Sequence, residues 1–425
     1  MKNEPNGKKL RGEMVAAVDV GSSKICTVLA TVTSECIQVQ GVGISPARGI
    51  EKGLVTDIDL AGGAIRESVK RAEQASGEAI DSVHIGITGT NITSESNRGI
   101  VAVGRSARTV KTKDVNRVLA SARQVDVHSE RRLLHVIPTQ YTVDGQSGVK
   151  DPRGMHGFRL DVDSHIVTIP ESAAENIIKC AHKAGLTVRG LVLQSLACAY
   201  IAINQDEMDA GVILADIGAG TTGIAAFKDG SVTHTSVLPV GGNNITKDLA
   251  IGLGIPFEVV DTLKKKHGDL RKKQTNNDEP EEDPFIAVNY DGMNKIYKQD
   301  VNDIIRARVE EIMKLIIAEL PSNRAYLAEF PAGLVLTGGT ANLVGIESVA
   351  QEVTGLPARV VSPKGLTGLA DPLFDPAYAS TVGLLLCGDK WRKEQSWLRE
   401  GLSSKVADTF KGFSHLIPRV KVYRG

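Results

Sequence analysis

Two short stretches of the chain share one construction. Asp19-Val20-Gly21-Ser22-Ser23-Lys24 and Asp216-Ile217-Gly218-Ala219-Gly220-Thr221-Thr222 each close an apolar run with a carboxylate, followed by a glycine and a small, mostly polar turn. Phosphate oxygens are bound by backbone N–H groups that converge on a tight turn, and glycine or small residues let the main chain approach the anion. A carboxylate at the strand end can hold the water shell of a Mg²⁺ ion riding on the phosphates, which makes Asp19 and Asp216 metal candidates acting through water. Lys24 adds positive charge, and Ser22, Ser23, Thr221 and Thr222 add hydroxyl donors. A third turn, Gly338-Gly339-Thr340 with Asn342 opening the next helix, is placed for the nucleoside end. One such turn alone says little, because glycine turns between strands are common. Three in this order, repeating Asp, Gly and hydroxyl, point to a nucleoside triphosphate: ATP with Mg²⁺. Neither a Walker P-loop nor a G-x-G-x-x-G fingerprint is present, which disfavours the commoner nucleotide folds.

Those turns need strands to carry them. Met14 to Val20 is a Val-rich apolar run that turns and resumes at Ile25 to Leu29, a hairpin pattern. Gly211-Val-Ile-Leu-Ala-Asp-Ile-Gly-Ala-Gly-Thr-Thr-Gly-Ile-Ala-Ala-Phe227 repeats the pattern, so the chain consists of two related halves. Helical patterns are expected over Ile58 to Gly77, 171 to 186 and Val301 to Leu320, and strands at Val83 to Thr88 and Gly333 to Thr337. The expectation is an α/β, duplicated, ribonuclease H-like fold of the actin type: two lobes with an ATP cleft between them. Lys272 to Pro284 reads as a polar surface loop, and a helical stretch follows Pro376.

Composition sets the limits. A chain of 425 residues exceeds what one core holds, so several domains are expected. Fifty basic and fifty acidic side chains cancel, leaving no global field for nucleic acid, and no nucleic-acid partner is expected. Five scattered cysteines without a CxxC pair read as buried reduced thiols rather than a zinc site. The polar N-terminus lacks a signal-peptide core and no stretch reaches membrane-spanning length, so the expected compartment is the cytoplasm.

Beyond the phosphate turns, the chain from about 14 to 388 closely resembles the FtsA family of bacterial cell-division proteins. Gly49-Ile-Glu-Lys-Gly-Leu-Val-Thr-Asp-Ile58 is similar to that family's G-[IV]-x-K-G-x-[IV]-x-[ND]-[IL] segment. Ser96-Asn97-Arg98-Gly99 resembles the entry to its inserted domain, called 1C. Val136-Ile137-Pro138, Tyr141, Val143-Asp144-Gly145, Asp151-Pro152 and Gly154-Met155-His156-Gly157 resemble the interior of that domain. Gly241-Gly242 and Ile245 to Ala250 resemble the loop and helix after the second phosphate hairpin, which adds Gly242 to the nucleotide contacts. The resemblance implies subdomains 1A (14–84 and 169–205), inserted α+β 1C (85–168), 2A (206–250 and 332–388) and 2B (251–331), with a tail at 389–425. It also implies self-association into filaments, FtsZ binding through 2B and recruitment of later division proteins through 1C. The implied location is the cytoplasmic face of the inner membrane at the division septum, reached through a C-terminal amphipathic helix.

The tail carries a helical pattern of its own. Val406, Phe410, Phe413, Ile417 and Val420 recur at helical spacing, with Lys405, Lys411, Arg419 and Lys421 beside them. An apolar face with basic flanks suits an in-plane anchor on anionic lipid, and Val406, Phe410, Lys411, Phe413 and Ile417 are its expected contacts. A helix docked on protein has the same pattern, and Pro418 ends or kinks it. The second phosphate hairpin departs from the family: Ala219 replaces a glycine and Gly223 an acid. With that acid absent, Gln194 becomes the candidate for positioning water in hydrolysis. A small-molecule kinase and a soluble pilus or partition relative use the same core and stay open. A heat-shock chaperone would need a peptide-binding domain larger than the tail.

Overall fold

The computed structural model describes residues 12–387, apart from 34–35, 105, 125–129, 272–283, 291–292 and 322–326. The tail residues Val406, Phe410, Lys411, Phe413 and Ile417, and most of the polar loop at 272–284, lie outside the described residues.

The first strand, Glu13–Val20, is buried along six of its eight residues. A strand covered on both faces reads as an unbroken apolar run rather than an alternation. It pairs antiparallel with Lys24–Val32, which pairs antiparallel with Ile37–Pro46. Ser82–Ile87 and then Thr187–Leu193 add parallel on its other side. The second half repeats this order. Val212–Ile217, Thr222–Lys228 and Ser231–Leu238 form the antiparallel meander, and Leu334–Thr337 and Ala358–Val360 add parallel. The same five-strand topology occurring twice is the duplicated, ribonuclease H-like architecture expected from the sequence.

Helices cover the sheets where apolar residues recur at helical spacing. Ile58–Ser76 is capped by the Asp57 carboxylate, which accepts from the N–H groups of Asp59 and Leu60, and it buries Ala61, Ala64, Ile65, Ser68, Val69 and Ala72. Gly242–Leu253, Lys298–Glu319 and Ile346–Thr354 pack with the second sheet in a core that includes Ile245, Ile312 and Val349. The segment 332–388, assigned wholly to the second lobe by its sequence order, is divided. Leu366–Gly368 extends the first sheet parallel to Ile37–Val39, and Val382, Leu384 and Leu385 pack in one core with Val15, Ala17 and Val28. The chain thus returns to its first lobe, and its last described helix, residues 379–387, crosses beneath the cleft.

An insert is spliced between strands Ser82–Ile87 and Thr187–Leu193. Thr93–Ala102, Arg159–Pro170, Arg131–Val143 and Gln146–Val149 form its sheet, with the helix Thr112–Ala122 alongside. Val118, Leu119, Tyr141, Leu160 and Val162 give it a core of its own. It touches the second lobe through Ser94 Oγ, which donates to the Thr235 carbonyl at 2.7 Å, and through His165 Nε2 at 2.9 Å from Thr235 Oγ1. All five cysteines are free thiols, and Cys36, unlike the other four, is only half-buried. Among the described residues no helix is long and apolar enough to cross a membrane.

Candidate functional site

Each half closes its first hairpin with the same turn. Gly21 N–H donates to the Lys24 carbonyl at 3.1 Å, and Gly218 N–H donates to the Thr221 carbonyl at 2.9 Å. The two-residue tips, Ser22-Ser23 and Ala219-Gly220, meet. A methyl group on Gly220 would lie 2.7 Å from Ser22 Oγ, so only glycine permits the contact. Behind the tips the buried carboxylates of Asp19 and Asp216 both act on the charge of Lys24.

Asp19 is held by three donors. Gln194 Nε2 donates to its Oδ1 at 2.5 Å, Thr381 Oγ1 donates to its Oδ2 at 2.8 Å, and the Ser380 hydroxyl donates to that second oxygen too. Burial pushes its carboxyl up from the ordinary aspartate value, and these donors and Lys24 oppose the shift. Asp216 lies beside the Cys198 thiol, which opposes its shift, and is pushed up to about 7, first by burial and second by the charge of Asp19. Lys24 sits with its ammonium 3.4 Å from the centre of the Tyr378 ring, and burial holds its pKa below the usual lysine value.

The third turn closes the floor. Thr340 Oγ1 donates to the Gly218 carbonyl at 2.9 Å, and Gly242 N–H donates to the same oxygen at 2.9 Å. Gly338 adopts φ +85, and a Cβ there would lie 2.5 Å from Asp216 Oδ1. Gly339 opens the 3₁₀ turn Gly339–Asn342. Asn342 ends that turn and does not open a helix. Its exposed amide donates to Asp375 Oδ1 at 2.8 Å. The next helix begins at Ile346 because Leu343 and Gly345 intervene.

Three of the four hydroxyls expected to face phosphate have partners within the protein. Thr222 Oγ1 donates to the Val240 carbonyl at 2.8 Å and fixes the loop before Gly241. Thr221 Oγ1 lies 3.4 Å from Thr88 Oγ1. Ser22 Oγ accepts from Gly53 N–H at 3.1 Å, and Ser23 is exposed at its tip. Gln194 opens the helix Gln194–Ala202 and donates also to the Val20 carbonyl at 3.2 Å. Its nitrogen therefore orients Asp19, and its carbonyl oxygen is the atom able to accept from a water. Gly223, where the resemblance leads one to expect an acid, lies directly across the hairpin from Asp216. A side chain there would share the Asp216 face, so an acid would place a third carboxylate in the cleft. Beside it, Ser195 Oγ is buried without a hydrogen-bond partner.

Sequence reasoning missed Ser380, Thr381, Tyr378 and Cys198, and it missed Lys264. The Lys264 ammonium is buried and donates to the Gly242 carbonyl at 3.0 Å and to Asp261 Oδ1 at 2.9 Å. It lies on the helix Phe257–His267, beside Lys265 and Lys266, where a run of lysines reads as a solvated face.

The residues fit a Mg²⁺–triphosphate. Backbone-rich turns face each other, two carboxylates lie behind them, and a cation stands between. Among the described residues no group of three or more His, Cys, Asp or Glu forms a metal cage. A Mg²⁺ ion would therefore be held by phosphate oxygens and water, with Asp19 and Asp216 outside that water shell.

Duplicated halves that press two carboxylate hairpins together across a cleft define an actin-like protein. Among solved structures the chain is similar to a PilM–PilN type IV pilus biogenesis complex, with TM-score 0.60 and 16% identity over 88% of this chain and 98% of that one. It is also similar to MreB5 of Spiroplasma citri bound to ADP, with TM-score 0.54 and 13% identity over 90% and 98% of the two chains. At these identities the likeness carries the fold alone. The family described as Cell division protein FtsA matches residues 213–383, and the SHS2 domain inserted in FtsA matches 89–168. The chain is 35% identical to the cell division protein FtsA of Pseudomonas aeruginosa, over 89% of each chain. It is 35% identical to that of Bacillus subtilis, over 88% of this chain and 83% of the relative. For FtsA of Escherichia coli K12 the identity is 32%, over 88% and 90%. The chain belongs to the FtsA family of cell-division proteins.

Proposed function

We propose that this protein binds ATP with Mg²⁺ between its two hairpins and works as a membrane-attached, filament-forming tether of the division ring. The observation that carries the nucleotide reading is the interlocked pair of tips over Asp19 and Asp216. In this reading Gly21, Gly218, Gly242 and Gly338, whose N–H groups are bonded within the protein, shape the turns, and the tips Ser22-Ser23 and Ala219-Gly220 offer their N–H groups to the phosphates, with Gly339 and Thr340 at the nucleoside end. Gln194 orients Asp19 and holds water, and hydrolysis is slow because Gly223 supplies no carboxylate. Cell-division membership supports the rest. The lobe segment 251–331 binds FtsZ, the insert recruits later division proteins, and the tail helix lies in the anionic inner face of the cytoplasmic membrane at the septum. One such helix binds weakly, and a filament multiplies it by avidity.

Co-sedimentation with anionic liposomes, with and without Mg-ATP, tests this on the full chain and on a chain ending after Leu402. Pelleting that requires the tail and rises with ATP is expected. Equal pelleting of both chains, or of neither, removes the membrane tether and leaves a soluble actin-like scaffold.

A further inference from the structure

The segment that resembles the family's G-[IV]-x-K-G pattern has a position that its sequence does not explain. Ile50–Glu51 and Leu54–Val55 form a small antiparallel hairpin with Lys52 and Gly53 at its tip, and both tip residues have positive φ, 47 and 75. A non-glycine residue held in the left-handed region is uncommon and costs free energy, so the surroundings must impose it. They do so from three sides. Gly53 N–H donates to Ser22 Oγ in the first phosphate hairpin at 3.1 Å. A Cβ on Gly220 in the second would lie 3.3 Å from Lys52 Cα. A Cβ on Gly53 would lie 2.6 Å from the Thr88 carbonyl oxygen. The tip of this hairpin is wedged where the two phosphate hairpins meet.

The charge balance of the cleft makes that position informative. Lys24 already faces Asp19, Asp216 and Asp375. Lys264 is bound to Asp261. A triphosphate brings further negative charge to a cleft that holds two acids of its own. Lys52 is exposed at the seam of the two tips and makes no ion pair with a described residue. A lysine offers a compact charge on a flexible four-carbon stem, suited to closing over a phosphate once it arrives.

We propose that Lys52 caps the terminal phosphate of the bound nucleoside triphosphate and so lets the protein distinguish triphosphate from diphosphate. The inference rests on the reading of the cleft as an ATP site and names one more contact in it. Because Gly53 packs on Thr88, just before the root of the insert, closure of Lys52 also ties the phosphate state to that root.

Fluorescent mant-ATP and mant-ADP, titrated with Mg²⁺ into the full chain, test the proposal. Lys52→Gln is expected to weaken mant-ATP by about tenfold and mant-ADP by less than about twofold, the size of one hydrogen bond to a charged group. Lys52→Arg restores most of the mant-ATP affinity. Lys52→Asn, which a left-handed backbone tolerates, repeats the charge removal should the glutamine variant misfold. If the charge-removing variant weakens both nucleotides equally, or neither, Lys52 does not read the terminal phosphate. If the unsubstituted protein binds neither nucleotide, the ATP reading itself falls and takes this contact with it.

Discussion

Around the first hairpin Asp19 accepts from Gln194, Ser380 and Thr381, whereas Asp216 in the second hairpin has the Cys198 thiol and the repulsion of Asp19. Both aspartates close buried strands of the same topology, so burial raises both carboxyls. What differs is the supply of donors. The returning helix at 379–387 and the helix opening at Gln194 furnish three to the first site, and little equivalent reaches the second. The first tip is also hydroxylic, Ser22-Ser23, and is followed by Lys24, while the second is Ala219-Gly220. Duplication has thus preserved the hairpin and its turn and let the surroundings of the two carboxylates diverge. Asp19 is the braced carboxylate, and Asp216 is the one raised further by its neighbour's charge. The two titrate as a coupled pair.

Asp19→Asn breaks the comparison most severely. Losing the braced charge is expected to weaken Mg-ATP by about a hundredfold, the upper range for bonds to a charged group, read by nucleotide titration. The same change removes the repulsion on Asp216, whose titration should then fall below about 7. A titration that stays put would mean burial alone sets it. Gly338→Ala comes next. The new Cβ meets Asp216 Oδ1 and, at 2.6 Å, the Ile217 carbonyl, in a backbone conformation that L residues avoid. A loss of about 1–3 kcal/mol is expected, seen as a lower melting temperature together with weaker nucleotide binding.

Asp216→Asn sharpens the comparison through pH. The folded carboxyl titrates at about 7, above its ordinary 3.8. A carboxyl raised in the folded state contributes stability that is complete below the unfolded value and disappears as pH rises through the folded one. The unliganded protein should therefore lose melting temperature from about pH 4 to about pH 7, and the amide variant should lose less. The gap between the two should widen with pH and flatten above about 7. Parallel melting curves at every pH would assign the charge sensitivity elsewhere.

The two hairpins were legible in the sequence because their parts are contiguous: a strand, an aspartate, a glycine and a tip follow one another along the chain. The braces were not legible. Ser380 lies 361 positions from Asp19, and the pair Ser380-Thr381 carries no mark of its own in a helix otherwise apolar. Lys264 was hidden by its neighbours Lys265 and Lys266, since only the fold decides which lysine of a run turns inward. The return of Leu366–Gly368 to the first sheet was hidden for a similar reason: three residues on a sheet edge leave no periodicity to read. Asn342 was misplaced by one short turn, because a 3₁₀ segment and the first turn of an α-helix look alike in sequence.

The smallest effect concerns the thiol beside Asp216. Cys198 is fully buried, and burial, reinforced by the charges of Asp216 and Asp19, raises its thiol well above the ordinary range, so it stays protonated and donates. A hydroxyl is a stronger donor than a thiol. Cys198→Ser should therefore favour the charged form of Asp216 and move its titration down. Cys198→Ala removes the donor and should move it up, each by less than about one pH unit, the worth of a single modest hydrogen bond. The read-out is the midpoint of the pH-dependent melting curve, measured without nucleotide. Opposite displacements would show that one donor tunes the second carboxylate, as three donors brace the first. Displacements in the same direction would mean that repacking around residue 198, and not hydrogen bonding, sets the charge of Asp216.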